Sequence, residues 1–327
     1  MKLCLLGCGN HARSVYLPSL QRYKKENADV NFAACCDMDE AKARSYKEDA
    51  GFSRHYVNSA EMMETERPDA VILVTPFVHT AAIAIDLAKY GAAIMVEKPI
   101  GATLDECTAI AEAAEAHGIP STAAFNRRSM PLIRALMAEL ARGGKPIQHI
   151  DYKLYRTNRR EAHFYSTAVH GIDLVHFIAG ADYKHVGFDY RPIDGNGAIN
   201  IRLSCDFQTG STANLAFYPA AGLVIERVEV LCEKESYFVN LPVWGGPDSP
   251  GCLVKYANGE LVYNKSGLEI SDGTTMPEDN GFYREIKTFI DSIKNGVRPA
   301  DDFRSAIDSM RIMDCVRRKD ACYTAQE

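Results

Sequence analysis

Between the short run Lys2–Leu6 and a helical pattern beginning near His11 lies Gly7-Cys8-Gly9-Asn10-His11-Ala12. Few hexapeptides narrow a fold so far. The first glycine allows a tight turn out of a strand, and the second lets another group come close to the backbone. The small Ala12 permits a helix to lie tightly on the strand it follows. The helix N-terminus after such a turn offers backbone N–H groups and the positive end of a dipole to a phosphate. The pattern is G-x-G-x-x-A, which is weak alone and gains its meaning from what surrounds it.

The surroundings are those of a parallel sheet. Over the first ~125 residues compact apolar runs alternate with helical patterns. The strand candidates are Lys2–Leu6, Asn31–Cys36, Ala70–Val74, Ala93–Val96 and Ser121–Phe125. Each is rich in Val, Ile, Leu, Ala or Cys, as strands covered on both faces are. Thr103-Leu104-Asp105-Glu106 reads as a capping box opening a helix that stops at Gly118, and a second helix runs from about Val78 to Tyr90 before Gly91.

The periodicity changes after about residue 145. From Asn200 to Phe207, apolar Ile201, Leu203, Cys205 and Phe207 alternate with Arg202, Ser204 and Asp206, which predicts a half-buried antiparallel strand. Asn258-Gly259 between Leu253–Tyr256 and Leu261–Tyr263 predicts a tight hairpin. Helices are expected near Gly281–Asn295 and Phe303–Val316. The fold class is α/β: a Rossmann-type doubly wound parallel sheet over residues 1–124, then an α+β domain with an open, mainly antiparallel sheet over 125–327. The second is expected to bind substrate and mediate oligomerisation. An open sheet face with alternating apolar residues predicts a homo-oligomer, a dimer or tetramer.

Charge and cysteines exclude several roles. A net charge of −6, with no basic block, argues against a nucleic-acid partner. No apolar run is long enough to span a bilayer. Leu5-Leu6-Gly7-Cys8 has the look of a lipoprotein cleavage site, but the apolar stretch before Cys8 is far shorter than the ~7–15 residues of a signal core. None of the ten cysteines forms a CxxC pair, so they read as apolar fillers in a reducing cytoplasm, with no metal and no disulfides.

Asp37 stands at the end of the second strand. An acid there accepts hydrogen bonds from adenosine ribose hydroxyls and repels a 2′-phosphate, so NAD is favoured over NADP. Its plainer reading is a turn residue opening the next helix. Thr75-Pro76-Phe77-Val78-His79 and Glu97-Lys98-Pro99 both follow parallel strands, at the carboxyl ends where such sheets bind ligands. Lys98 is either a surface charge or a cation that stabilises a developing alkoxide beside a nicotinamide. His170 and Asp173, three apart, are expected on one side of a helix's first turn. His170 is either a structural histidine or the base for an alcohol proton.

Taken together these motifs resemble the glucose–fructose oxidoreductase / inositol dehydrogenase (Gfo/Idh/MocA) family over nearly the whole chain. The resemblance runs through the Gly7–Ala12 turn, Thr75-Pro76 with His79, Glu97-Lys98-Pro99, and Arg128 with Pro131. It continues in His170-x-x-Asp173 and in the Phe289-Ile290 helix followed by Gly296 and Pro299. It implies NAD(P)-dependent redox chemistry on sugars, polyols or their derivatives, with Lys98 and His170 facing the nicotinamide across an interdomain cleft and Asp173 beside them. It implies cofactor contacts from Gly7, Cys8, Gly9, Asn10, His11, Ala12, Asp37, Thr75, Pro76, His79, Glu97, Lys98 and Asn126. Arg128, Tyr155, Arg156, His163 and Tyr165, with Arg159 and Arg160, are the candidate substrate contacts, though each is also an ordinary surface residue.

The chain departs from the family at one telling place. Many of its dehydrogenases carry an Asp four residues before the histidine, and this chain has Ser166. Three functions follow. One is an NAD-dependent dehydrogenase of a sugar or cyclic polyol. Another is an enzyme that retains NAD and uses transient oxidation to drive elimination or glycoside cleavage. The last is a non-catalytic dinucleotide sensor, which retention of Lys98 and His170 disfavours.

Overall fold

The computed structural model describes residues 1–193, 197–271, 273 and 275–326, and divides into two compact units. The first begins with β1 (Lys2–Leu6), buried at every position but its first. The glycine turn leads into a wide turn over Ala12–Tyr16, where the Leu17 N–H reaches back to the Ala12 carbonyl, and then into α1 (Leu17–Glu26). Pro18, with no N–H to give, sits at the start of α1, where a helix tolerates it. There follow β2 (Asn31–Cys36), α2 (Glu40–Ala50), β3 (Arg54–Tyr56), α3 (Ser59–Glu66) and β4 (Ala70–Leu73). The series closes with α4 (Phe77–Ala88), β5 (Ala93–Glu97), α5 (Leu104–Ala116) and β6 (Ser121–Ala124).

All six strands pair in parallel in the order β3-β2-β1-β4-β5-β6. The direction of winding reverses between β1 and β4, so the turn after β1 opens at the topological switch point, where open α/β sheets bind ligands. The sequence did not predict β3: three half-exposed residues carry no apolar run. The expected capping box of α5 is half formed. The Thr103 hydroxyl accepts from the Glu106 N–H (3.2 Å), but the Glu106 carboxylate turns to the Ala102 N–H (2.6 Å).

In the second unit α6 (Pro131–Gly143) precedes β7 (Ile147–Tyr155), α7 (Tyr165–Ala179), β8 (Tyr183–Pro192), β9 (Ile199–Phe207) and β10 (Thr212–Tyr218). Then come β11 (Ile225–Cys232), β12 (Glu235–Asn240), β13 (Cys252–Ala257), β14 (Glu260–Ser266) and the short helices α8 (Gly267–Ile270) and α9 (Met276–Asp279). With β15 (Cys322–Thr324) the strands form one sheet in the order β14-β13-β12-β11-β7-β10-β9-β8-β15. Among the described residues of this sheet, only β7 and β10 pair in parallel. Along β9 the predicted alternation holds, with Ile201, Leu203, Cys205 and Phe207 buried and Arg202, Ser204 and Asp206 exposed. The β13–β14 hairpin turns on Asn258 (φ 52°) and Gly259 (φ 86°), the left-handed pair a two-residue hairpin requires. Helix α7 lies directly on the sheet: a Cβ at Gly171 would stand 2.1 Å from the Tyr152 ring.

Two sequence expectations need correction. The helices α10 (Phe282–Lys294) and α11 (Phe303–Arg318) form as expected, but residues 282–307 belong to the first unit, not the second. The reason is the apolar face of α10: Phe282, Tyr283, Ile286, Phe289 and Ile290 are buried, and the Tyr23 hydroxyl of α1 donates to Asp291 (2.8 Å). The chain then pairs beyond β6 through Ala123 N–H to Asp301 O (2.9 Å). Second, α7 begins at Tyr165, so His170 and Asp173 sit in its middle and not in its first turn.

Candidate active site

In the first unit the glycine turn is fixed from both sides. The Gly7 N–H donates to Cys36 O (2.8 Å) at the end of β2, and the Cys8 N–H donates to Asp37 Oδ2 (2.8 Å). Gly7 has φ +98°, and a Cβ there would lie 2.1 Å from Val74 O, so no other residue fits. Gly9 is the opposite case, with nothing within 4 Å of where its Cβ would be. That open ground in front of a turn and a helix start fits the close approach of a pyrophosphate. Asp37 does not cap α2; Asp39 does, through Ala41 and Lys42 N–H. Asp37 instead orients the turn, and its Oδ1 accepts from Asp39 N–H (3.0 Å).

Glu97 and Lys98 lie at the carboxyl end of β5. Buried Glu97 accepts from the Tyr16 hydroxyl (2.6 Å), with His11 Nε2 at 3.4 Å and Lys98 Nζ at 3.9 Å. Burial pushes the Glu97 carboxyl up, but the charges of His11 and Lys98 and the bonds from His11 and Tyr16 outweigh it. The carboxyl therefore ionises below its ordinary range. Tyr16 moves the other way, raised first by burial and then by the Glu97 charge, so it stays a neutral donor. Three groups named from the sequence, His11, Glu97 and Lys98, thus meet here. Thr75 bonds Thr80 (3.1 Å), Pro76 starts α4, and His79 is exposed.

The second unit holds a separate constellation. His170, on α7 and 8% exposed, places Nε2 3.3 Å from Nη1 of Arg127. Arg127 Nε and Nη2 donate to the two oxygens of Glu226 (3.1 and 3.0 Å), and Arg156 Nη2 donates to Glu226 as well (3.1 Å). Burial alone would raise the Glu226 carboxyl; the Arg127 and Arg156 charges reverse this and hold it at about 2. Asn126 gives its amide to Asn280 O (2.7 Å) and takes an N–H from Arg127 (3.1 Å).

Arg128 and Asp173 form a second buried pair, through Nε–Oδ2 at 2.9 Å and Nη2–Oδ1 at 2.5 Å, and Ser309 donates to the same Asp173 (3.1 Å). These bonds tie together residues the sequence offered for chemistry. Ser166 donates to His163 O (2.8 Å) at the start of α7. Tyr155 packs edge-on against Tyr218, and His163 is exposed. Arg160 bonds Asn158 (3.2 Å) on the surface. Arg159 and Tyr165 line a small open pocket with Tyr190, Ile199, Arg317 and Lys319.

Sequence reasoning passed over Arg127 and Glu226. The second left a signal: Glu226 falls in phase with Val228, Val230 and Cys232, the inward positions of β11. An acid on the buried face of a strand demands a cation.

A glycine turn at the switch point of a parallel sheet, with an acid closing it and a lysine on the next strand end but one, defines a dinucleotide-binding Rossmann domain. Residues 1–125 match the family model described as "Oxidoreductase family, NAD-binding Rossmann fold". Through this domain the chain is similar to the Gfo/Idh/MocA oxidoreductases. It is 29% identical over 143 residues to D-apiose dehydrogenase of Paraburkholderia graminis, covering 43% of this chain and 36% of that one. It is 28% identical over 142 residues to an inositol 2-dehydrogenase/D-chiro-inositol 3-dehydrogenase of Shouchella clausii, covering 40% of each. The matches therefore span less than half of those relatives' length.

The fold is shared along the whole chain. A dehydrogenase from Chromobacterium violaceum superposes with a TM-score of 0.84 at 21% identity over 98% of this chain and 95% of that one. An oxidoreductase from Agrobacterium radiobacter, solved with NAD+, L-tartaric acid and magnesium, gives 0.80 at 15% identity over 99% and 98%. Among the described residues no helix is long and apolar enough to cross a membrane.

Proposed function

We propose that this protein is an NAD-dependent oxidoreductase moving hydride between the dinucleotide and a CH–OH carbon of a sugar, cyclic polyol or sugar derivative. The observation that carries the reading is the fixed turn: Gly9 open to solvent and Asp37 bonded to Cys8 N–H (2.8 Å) at the switch point. Relatives named as apiose and inositol dehydrogenases support the substrate class. The turn would hold the pyrophosphate, and Asp37, with lone pairs left, would accept ribose hydroxyls and repel a 2′-phosphate. Bound NAD supplies a hydride acceptor.

Lys98, an ammonium 3.9 Å from the Glu97 carboxylate, is suited to stabilise negative charge on a reacting oxygen. His170 is a proposed substrate contact of the second unit. Arg159 and Tyr165 are proposed substrate contacts; Arg128, Arg156 and Asp173 are held in buried ion pairs. The open face of the second sheet is proposed as a self-association surface. Eight of the ten cysteines are buried, as apolar fillers are, and a cytoplasmic location is proposed.

A second reading has one observation in its favour. Ser166 spends its hydroxyl on a backbone carbonyl, so the proton path of an ordinary family dehydrogenase is altered; an enzyme that keeps its NAD and eliminates or cleaves would tolerate that. Calorimetric NAD and NADP titrations, followed by incubation with aldoses, aldonic acids and inositols, test the reading. Tighter NAD binding and NADH formation with one of these is the expected result. Binding of neither dinucleotide would overturn it.

A further inference from the structure

The Arg127–His170 contact carries a consequence that rests on the oxidoreductase reading and deepens it. A guanidinium has five N–H groups, no acceptor, and keeps its charge in proteins. His170 Nε2, 3.3 Å from Arg127 Nη1, therefore meets it as a lone pair. In a neutral imidazole whose Nε2 accepts, the proton is on Nδ1. We propose that Arg127 is a positioning residue that holds His170 in the Nδ1-protonated tautomer. His170 then meets its ligand as a neutral hydrogen-bond donor, not as a base at Nε2.

Arg127 has no freedom to swing aside. Two of its nitrogens are clamped by both oxygens of Glu226, and Nη1 also serves Asn126, which is itself pinned to Asn280 O. All of these side chains are buried, with Arg127 at 2% and Glu226 at 0% exposure.

The surrounding charges favour the same state. The turn before α6 brings Arg127 and Arg128, the end of β7 brings Arg156 with Tyr152 behind, β11 brings Glu226, and α7 itself brings Asp173. Arg128 is matched by Asp173, but Arg127 and Arg156 share the single Glu226. An imidazolium at His170 would set N–H against N–H and add a like charge in a dry site.

The group that meets Nε2 is a cation, and Ser166 spends its hydroxyl on His163 O. A carboxylate turns an imidazole into a proton acceptor, whereas a guanidinium turns it into a donor. A donor at Nδ1 stabilises oxygen charge in either direction of hydride transfer, the same service proposed for Lys98.

The test needs no substrate. The full chain is labelled with 15N-histidine, and ring nitrogens are read by long-range 1H–15N correlation; His170→Gln identifies the His170 signals. The expected pattern from pH 6 to pH 8 is a neutral ring protonated at Nδ1. Arg127→Met should release it to the Nε2-protonated tautomer or to a titrating imidazolium, and Arg127→Lys, which keeps a donor, should restore Nδ1 protonation. A wild-type ring protonated at Nε2, or doubly protonated at pH 7, overturns the proposal whether or not the variants fold. An unchanged pattern in folded Arg127→Met does so too. Failure of the function reading would appear separately, as no NAD binding and no turnover.

Discussion

Glu226→Gln removes the one anion that two buried guanidiniums share while keeping the shape of the side chain. A carboxyl ordinarily at 4.5 that sits at about 2 in the fold corresponds to roughly 3 kcal/mol of stability at neutral pH. Breaking a buried ion pair by deleting one partner costs about 3–5 kcal/mol, the same range. The sign follows from the direction of the shift. The folded carboxyl ionises more readily than the unfolded one, so its contribution is complete above about pH 5 and is lost as pH falls toward 2. Protonated Glu226 resembles Gln, so the gap between wild type and variant should close along the same limb, by roughly half at pH 3.

Trp244, the single tryptophan, lies in the same unit and reports its unfolding. Urea titrations followed by its fluorescence at pH 7, 5 and 3 measure the gap directly. A gap under about 1 kcal/mol at pH 7, or one that does not change with pH, would refute the electrostatic reasoning.

The glycines of the turn should part company. Gly7→Ala meets Val74 O at 2.1 Å with φ +98° and should cost about 2 kcal/mol or more in thermal unfolding. Gly9→Ala should melt like wild type yet bind NAD about tenfold or more weakly by calorimetry, because its Cβ occupies the pyrophosphate's approach. Asp37→Ala with Met38→Arg should move the binding preference toward NADP, since Met38 is 92% exposed and free to become a phosphate partner; an unmodified protein that binds both dinucleotides equally would contradict the role of Asp37. Lys98→Ala should leave NAD affinity nearly intact while steady-state turnover falls on the order of 10²-fold or more; unchanged turnover would remove Lys98 from the chemistry.

The first unit was legible because its signals are local. Strands buried on both faces are written as short apolar runs, and Gly7, Gly9 and Ala12 mark the turn by their size alone. β3 was not, because an edge strand of three residues needs only a neighbour. The placement of α10 was hidden for another reason: an amphipathic helix shows that it has an apolar face, not which unit covers it. Side-chain pairing was the least readable layer. His170 could be named from its motif, but that Arg127 faces it depends on Glu226, 99 residues farther along, and no spacing rule links residues on a turn and a strand so distant. Arg128 and Asp173 looked like free chemistry for the same reason; only the fold shows them bonded to each other.

Whether this is a dehydrogenase is decided most directly by stoichiometry. The protein is incubated with NAD and the sugar or inositol that it converts, and NADH absorbance is counted against oxidised product in the same closed reaction. One NADH per oxidised product, abolished by Lys98→Ala, is the predicted result. Product formed without NADH would contradict it and indicate an enzyme that recycles its own bound cofactor.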